Sequence, residues 1–320
     1  MRSGNSQYNV LLILFTKQHL DMAFHNSSYR KHAQKIPDKN KLGTWKENGT
    51  VDYWRHSRIY DNIQPLIRRH PRSKWVTIGD GRYGTDAHYL KTYGIDALAT
   101  DISENTLKAA LEDGYIDKYS VENAECLSFG DQAFDFVLCK EAYHHFPRPG
   151  IAMYEMLRIA KKGLILIEPN DNAIRNTKHR LISSMVNLWQ ALKNEFKLAT
   201  GRHIYYEYGN YEPDGNYVYS ISEREVEKIA LGINLPAVAF KGMDDHYLEG
   251  VEYEKVADNG PLFKKVKNSI SKAESLSKRG VKNYGLLIAI IFKVEIDTET
   301  KKALEAYGFR VDSLPRNPFV

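Results

Sequence analysis

Apolar and polar positions change their period several times along this chain, and each change marks an element. From Trp54 to His70 the apolar residues Ile59, Ile63, Leu66 and Ile67 recur at i, i+4, i+7 and i+8, which predicts one amphipathic helix that Pro71 stops. A short apolar run, Trp75–Ile78, then halts at glycines spaced Gly-x-Gly-x-x-Gly, namely Gly79, Gly81 and Gly84. The same alternation continues downstream. Strand one is expected at about 75–79, a helix at 84–92, strand two at 95–101, a helix at 103–113 and strand four at Phe134–Cys139. A helix over about 149–160 and strand five at Leu164–Ile167, ending in Glu168-Pro169, complete the rhythm. Strand–helix alternation of this kind predicts an α/β fold with a parallel sheet covered on both faces.

After Glu168 the rhythm breaks for about fifty residues. Positions 174–198 read as a helix with Leu181, Met185, Leu188, Trp189, Leu192 and Phe196 on one stripe, followed by Tyr205, Tyr206, Tyr208 and Tyr211 in a loop. So wide an apolar stripe needs a partner, and a lid or a homodimer contact through the 170–200 helix would serve. Ser222 and Glu225 form a capping box that opens a helix over 223–232. Strand six is expected at Ala237–Phe240, a charged insertion follows, and Leu286–Val294 is a last buried strand. The tail from 297 reads as a short helix ending before Pro315, and residues 24–50 read as a polar loop or arm. The division expected is therefore an arm over 1–50, a core domain over 51–296 with insertions at 170–220 and 246–282, and a tail over 297–320.

Composition narrows this only slightly. Two cysteines among 320 residues exclude a disulfide framework and suggest a reducing, cytoplasmic setting. The longest N-terminal apolar run, Val10–Phe15, is too short to span a membrane, and no small-residue cleavage site follows it. A net charge of +5 allows an anionic partner without demanding nucleic acid. The chain also has no Asn/Asp-Pro-Pro-Tyr loop and no stripe of bases alternating with aromatics, so nucleic acid is not the expected acceptor.

The glycine turn carries the first chemistry. Glycines between a strand and a helix let backbone N–H groups come close to a ligand. Asp101 ends the second strand 22 residues after Gly79, where a carboxylate can accept from both hydroxyls of a ribose. A nicotinamide dinucleotide and S-adenosylmethionine both satisfy that pair. The next segment separates them. Asn123-Ala124-Glu125, then Phe134-Asp135-Phe136-Val137 and His144-His145, resemble the class I S-adenosylmethionine-dependent methyltransferases, over about residues 74–169. The resemblance implies a Rossmann-like, doubly wound sheet of seven strands, the last antiparallel, with inserted elements on the acceptor side. It implies that Gly79, Asp80, Gly81 and Gly84 hold the methionine part and ribose, that Asp101 with Ile102 binds the ribose, and that Asn123, Ala124 and Glu125 meet the adenine. Cys139, at the end of strand four, joins that cofactor-binding set. The helix before strand one would help to cover the cofactor, with Tyr53 and Trp54 either lining its methionine end or packing in the core. Two positions depart from the pattern. Thr77 stands where an acid usually ends strand one, with Asp80 three residues on, and Asn123 replaces the adenine-contacting Asp while keeping a carbonyl acceptor.

A methyl group moves by in-line displacement, so the acceptor must be oriented, and a neutral hydroxyl must also lose a proton. His144 and His145 follow strand four on the cofactor's edge and are the candidate bases. Neighbours leaving a strand point to opposite sides, so one of them should face the acceptor while the other caps or packs against Phe146. Glu141 and Glu168 share that edge and could bind a cationic acceptor or a sugar hydroxyl, or cap the next helix. Tyr205, Tyr206, Tyr208 and Tyr211 suit stacking on a sugar face, and His246 completes the acceptor-side set. Asp244, Asp245 and His246 are metal-competent but adjacent, and no metal is expected. The reading is O-methylation of a saccharide or another polar small-molecule hydroxyl. N-methylation of a small amine is the alternative within enzymes, and a non-catalytic cofactor-binding module the alternative outside them.

Overall fold

A computed structural model describes residues 23–34, 39–171 and 216–319. Among these, eight strands form one sheet in the order β3-β2-β1-β4-β5-β7-β6-β8. The strands are β1 (Lys74–Ile78), β2 (Asp96–Asp101), β3 (Tyr119–Val121), β4 (Phe134–Lys140), β5 (Ala160–Pro169), β6 (Ala237–Met243), β7 (Leu286–Phe292) and β8 (Arg310–Ser313). The first five run parallel, and β7 lies antiparallel between β5 and β6. Strand order reverses between β1 and β4, and that crevice is where a doubly wound sheet receives its ligands.

The alternating elements take shape because their apolar faces meet. Trp75, Phe136, Leu138, Ile165 and Ile288 pack on one face of the sheet with Ile59, Leu66, Leu90 and Leu107. Val76, Ile78, Val137, Leu164 and Leu287 pack on the other with Met153, Met156 and Val226. Ile59 and Leu66 come from the segment before β1, and the other helical residues from α5 (Thr85–Thr92), α6 (Glu104–Glu112), α7 (Pro149–Ile159) and α8 (Glu223–Gly232). Ser222 caps α8 by accepting from the Glu225 amide at 3.2 Å, as the capping box predicts.

Four expectations change. The sheet has eight strands rather than seven. After α10 (Thr298–Ala306), the expected tail helix, the chain turns at Gly308 and adds β8 antiparallel to β6. Four half-exposed residues give too brief an alternation to read as a strand. The helix predicted over 54–70 is two: α3 (Val51–Tyr60) and α4 (Gln64–Arg69), joined by a 3₁₀ turn at Asp61–Ile63. Pro65, in the first turn of α4, has no N–H to continue the ladder of α3. Thr50 sets the start of α3 by accepting from the Tyr53 amide. The segment 24–50 is not wholly loop, because α1 (Ala23–Ala33) and α2 (Lys39–Lys46) lie within it. Both are polar helices whose sequence has no apolar period, and they meet the body through scattered residues, among them Tyr29, His32, Trp45 and Lys46. Strand five begins four residues earlier than expected, at Ala160, because α7 ends directly into it. The expected second insertion carries α9 (Pro261–Lys278), which packs Phe263, Val266 and Ile270 with Val51 and Val251 in a separate small core.

Candidate active site

A cavity of about 970 Å³ opens at the carboxyl ends of β1, β2 and β4. Gly79 and Gly81 form its floor, and side chains are excluded at both. A Cβ on Gly79 would meet that of Ala142 at 2.4 Å, and one on Gly81 would meet Asp101 Oδ2 at 2.7 Å. Bare backbone therefore faces a carboxylate across the turn. Asp101 accepts from the Ser103 amide through Oδ1 at 2.7 Å, which orients it. Ile102, Asn123 and Ala124 line the same wall. Asn123 Oδ1 accepts from the Glu125 amide at 3.0 Å and keeps a second lone pair. Bare turn, carboxylate and amide carbonyl together fit a nucleoside with a ribose at Asp101.

Other residues of the predicted set also have structural partners, and of these Asp80 and Glu125 line the cavity. Asp80 caps α5, accepting from the Asp86 and Ala87 amides at 3.1 and 2.9 Å and from Thr77 Oγ1 at 2.8 Å. The hydroxyl of Thr77 and the displaced acid thus act as a pair at the end of β1. Burial, then repulsion from Asp86, pushes Asp80 well above the usual carboxylate range. Gly84 is the N-cap of α5 and packs on Ile116, outside the cavity lining. The Glu125 carboxylate lines the cavity but is taken up by the Arg148 amide and Nε, at 2.8 and 2.6 Å, and by the Tyr29 hydroxyl. It ties α1 to the body. Cys139 is fully buried behind the wall, with Sγ 3.8 Å from Glu168 Oε1.

The histidine pair sits in a 3₁₀ turn, Tyr143–His145, rather than on an extended strand end. Successive residues there are not forced to opposite sides. Both rings line the cavity, with centroids 3.9 Å apart. This departs from the expectation that they would diverge. His144 Nδ1 lies 2.6 Å from Glu168 Oε2. Glu168 is fully buried, does not line the cavity, and accepts from the Ala142 and Tyr143 amides through Oε1, each at 2.9 Å. One carboxylate therefore holds both the turn and the imidazole it carries. His145 accepts from Asn216 Nδ2 through its backbone oxygen at 2.8 Å.

Sequence reasoning missed a second charged group, built on α3 and the end of β4. Asp52 pairs with Arg55 at 2.8 Å and with Arg82, and Arg55 also forks onto Asp245. His56 lies between Arg82 and Lys140, with Lys140 Nζ 3.1 Å from its Nδ1. Burial first, then Lys140, Arg82 and Arg55, push His56 well below its ordinary value and keep it neutral. Burial works against the Lys140 charge, but Glu141 at 2.6 Å and Asp86 outweigh it and hold the ammonium above its usual value. The same Lys140 outweighs burial at Glu141 and holds that carboxylate below its usual range. Asp52, Arg55 and His56 stand at i, i+3 and i+4, so a charged face on α3 was readable. Tyr53 and Trp54, the residues singled out there, turn elsewhere: Tyr53 is exposed and Trp54 packs edge-on against Phe263.

The mouth of the cavity is bounded by the chain after β6. Tyr247, Glu249, Glu252 and Tyr253 line it. This loop is fastened at Asp244, which accepts from Ser277, Lys282 and the Gly285 amide, and at Val251, whose oxygen accepts from the Asp52 amide. His246 is not part of the lining. Among the described residues no group of three or more metal-ligating side chains converges, and no helix is long and apolar enough to cross a membrane. Tyr205, Tyr206, Tyr208 and Tyr211, and the 170–200 helix proposed for dimerisation beyond Asp171, lie outside the described residues.

Comparison with known proteins follows the same segment. A family described as a methyltransferase domain matches residues 76–167. The 2-methyl-6-phytyl-1,4-hydroquinone methyltransferase of Synechocystis is 29% identical over 155 residues, which are 40% of this chain and 49% of that protein. The chain thus spans about half the length of that relative. Among solved structures, a methyltransferase from Methanosarcina mazei is 17% identical, over 72% of this chain and 98% of that one, with a TM-score of 0.42. Magnesium protoporphyrin IX methyltransferase from Synechocystis, solved with S-adenosylhomocysteine, is 12% identical over 87% and 98%, with a TM-score of 0.41. Residues 76–167, which carry the glycine turn, Asp101, Asn123 and the histidine pair, thus match a methyltransferase domain, with S-adenosylmethionine as its cofactor.

Proposed function

We propose that this protein methylates a hydroxyl of a saccharide or another polar small molecule, with His144 as general base. The observation that carries the reading is the 2.6 Å contact between His144 Nδ1 and the fully buried Glu168. A carboxylate on Nδ1 fixes the tautomer in which Nε2 is the basic nitrogen, and it stabilises the imidazolium once the proton arrives. S-adenosylmethionine supplies an electrophilic methyl on a positively charged sulfur. His144 takes the acceptor's proton at Nε2, and the Ala142 and Tyr143 amides hold the Glu168 carboxylate in place. Gly79, Gly81 and Asp101 would hold the ribose side of the cofactor, with Asn123 and Ala124 at the base. Single-ligand pockets run about 300–1,000 Å³, so a cavity of about 970 Å³ leaves room for an acceptor beside the cofactor. The polar side chains within its lining, among them Arg55, Glu141, Tyr247 and Glu252, support a hydrophilic acceptor.

The test is a mass-spectrometric screen for methyl transfer across sugar, nucleotide and amine pools, with a hydroquinone added because the Synechocystis relative is named for one. On the acceptor found, His144→Ala should lower turnover by about 10²–10⁴ while S-adenosylhomocysteine binding, read by calorimetry, stays intact. Asp101→Ala should instead weaken that binding about tenfold through lost charge-assisted hydrogen bonds. If His144→Ala and His145→Ala both keep near wild-type turnover, the base is refuted and an amine acceptor takes its place.

A further inference from the structure

The positive charge of this protein is concentrated on one element. Residues 261–282 hold seven bases and one acid, a net of +6 where the whole chain carries +5. On α9 and the residue after it, Lys264, Lys265, Lys267, Lys272, Lys278 and Arg279 are all exposed. Among the described residues none of the six takes part in an ion pair. The helix's only acid, Glu274, is turned inward onto Arg58 at 2.7 Å, and Lys282 is turned inward onto Asp244 at 2.6 Å. What remains is an acid-free basic face about 22 Å long, at ~1.5 Å per residue.

The start of this helix adjoins the mouth of the active cavity. The Leu262 and Phe263 amides at the start of α9 donate to Glu254 at 3.2 and 2.6 Å. Tyr253, the residue before it, lines the cavity and is 66% exposed, and Tyr247 on the same rim is 53% exposed. The apolar face of α9 is already buried against Val51 and Val251, so the helix cannot insert into an apolar phase. Any partner must be held by charge at the surface.

We infer that α9 docks the protein on an anionic lipid surface, so that the cavity mouth opens towards that surface. Three observations favour lipid headgroups over nucleic acid. Five of the six bases are lysines, compact charges suited to a diffuse field rather than to bidentate phosphate or base contacts. No exposed aromatic alternates with them to stack on bases. The exposed aromatics nearby are tyrosines on the rim, whose ring and hydroxyl suit a headgroup boundary.

The experiment is co-sedimentation of the full chain with vesicles of phosphatidylcholine alone and of phosphatidylcholine mixed with phosphatidylglycerol. Binding is expected only to the mixed vesicles, and it should fall as salt shortens the screening length. Lys264→Gln, Lys265→Gln, Lys267→Gln and Lys272→Gln combined should weaken it by more than ~100-fold, at about fivefold per lysine near the surface. Circular dichroism and S-adenosylhomocysteine affinity of this variant should match wild type, since these side chains are exposed. A charge-matched control, Arg72→Gln, Lys108→Gln, Arg224→Gln and Lys302→Gln, should keep most of the binding. Equal binding to neutral vesicles, retention by the α9 variant, or equal loss in the control would overturn the inference. So would α9-dependent binding to duplex DNA or RNA with the vesicles left unbound.

Discussion

Two histidines stand at the same cavity in opposite surroundings. His144 has a fully buried carboxylate on Nδ1, and that carboxylate takes two backbone amides on its other oxygen. His56 sits among Lys140, Arg82 and Arg55, with the nearest carboxylates, Asp52 and Glu141, each 3.7 Å away and already paired to those cations. A proton arriving on His144 meets a compensating charge. One arriving on His56 meets three like charges in a buried place. The same side chain is thus fitted to receive a proton at one end and to stay neutral at the other. Histidine count alone distinguishes nothing here; the sign of the neighbours does.

The sharpest way to break this contrast is at Glu168. Glu168→Gln keeps the shape, and its amide oxygen can still accept from Ala142 and Tyr143. Its NH₂, however, would donate to His144 Nδ1 and force the other tautomer. Turnover should fall by about 10²–10⁴, as when a buried carboxylate behind a catalytic histidine is neutralised. Cofactor affinity should hold, because Glu168 does not line the cavity. In the Glu168→Gln background, His144→Ala should cost little more, since the two act as one unit. Independent, additive losses in that cycle would separate the pair.

At the other histidine the largest effect should come from Lys140→Met. The lysine side chain is only 4% exposed, and its loss leaves Glu141 and Asp86 without their cation. Breaking a buried pair costs about 3–5 kcal/mol. The Glu141 side chain is 32% exposed and can be rehydrated, so about 2 kcal/mol in urea unfolding is the expected loss. An unchanged unfolding midpoint would show that Lys140 does not organise this cluster.

How far these two regions could be read beforehand differs for a physical reason. The strand–helix alternation, the glycine turn and the strand-end residues Asp101, His144 and Glu168 were legible, because period changes and chain breaks mark a sheet's carboxyl edge. That Glu168 serves His144 rather than the acceptor was not, since it depends on the 3₁₀ turn at Tyr143–His145 bringing the two together. The cluster on α3 was hidden more deeply. Asp52, Arg55 and His56 look like the solvent face of an amphipathic helix, and the groups that cover them, Arg82, Lys140 and Asp245, come from distant parts of the chain, Asp245 190 residues beyond Arg55. Likewise α1 and α2 have no apolar period. Their sequence reads as loop, while Tyr29, Thr44 and Trp45 reach the cavity only in the folded chain.

The smallest effect tests the His56 environment by pH. Its folded value is lowered by burial and by Lys140, Arg82 and Arg55, so in the unfolded chain it takes up a proton first, near its ordinary value of about 6.5. Between that value and the lower folded one, the unfolded state binds more protons, so stability falls as pH falls. Above about 6.5 neither state is protonated at this site, and its stability contribution is complete. His70 and His88 are also lowered by burial and add slope of the same sign, while Asp80 and Asp86, held high, add the opposite sign at lower pH. The difference between wild type and His56→Gln removes these shared contributions. Urea unfolding from pH 7.5 to 5.5 should show wild type losing about 1 kcal/mol more than His56→Gln, from a limiting slope of ~1.4 kcal/mol per pH unit. Parallel curves would mean that His56 titrates alike in both states, and that the three cations beside it do not set its charge.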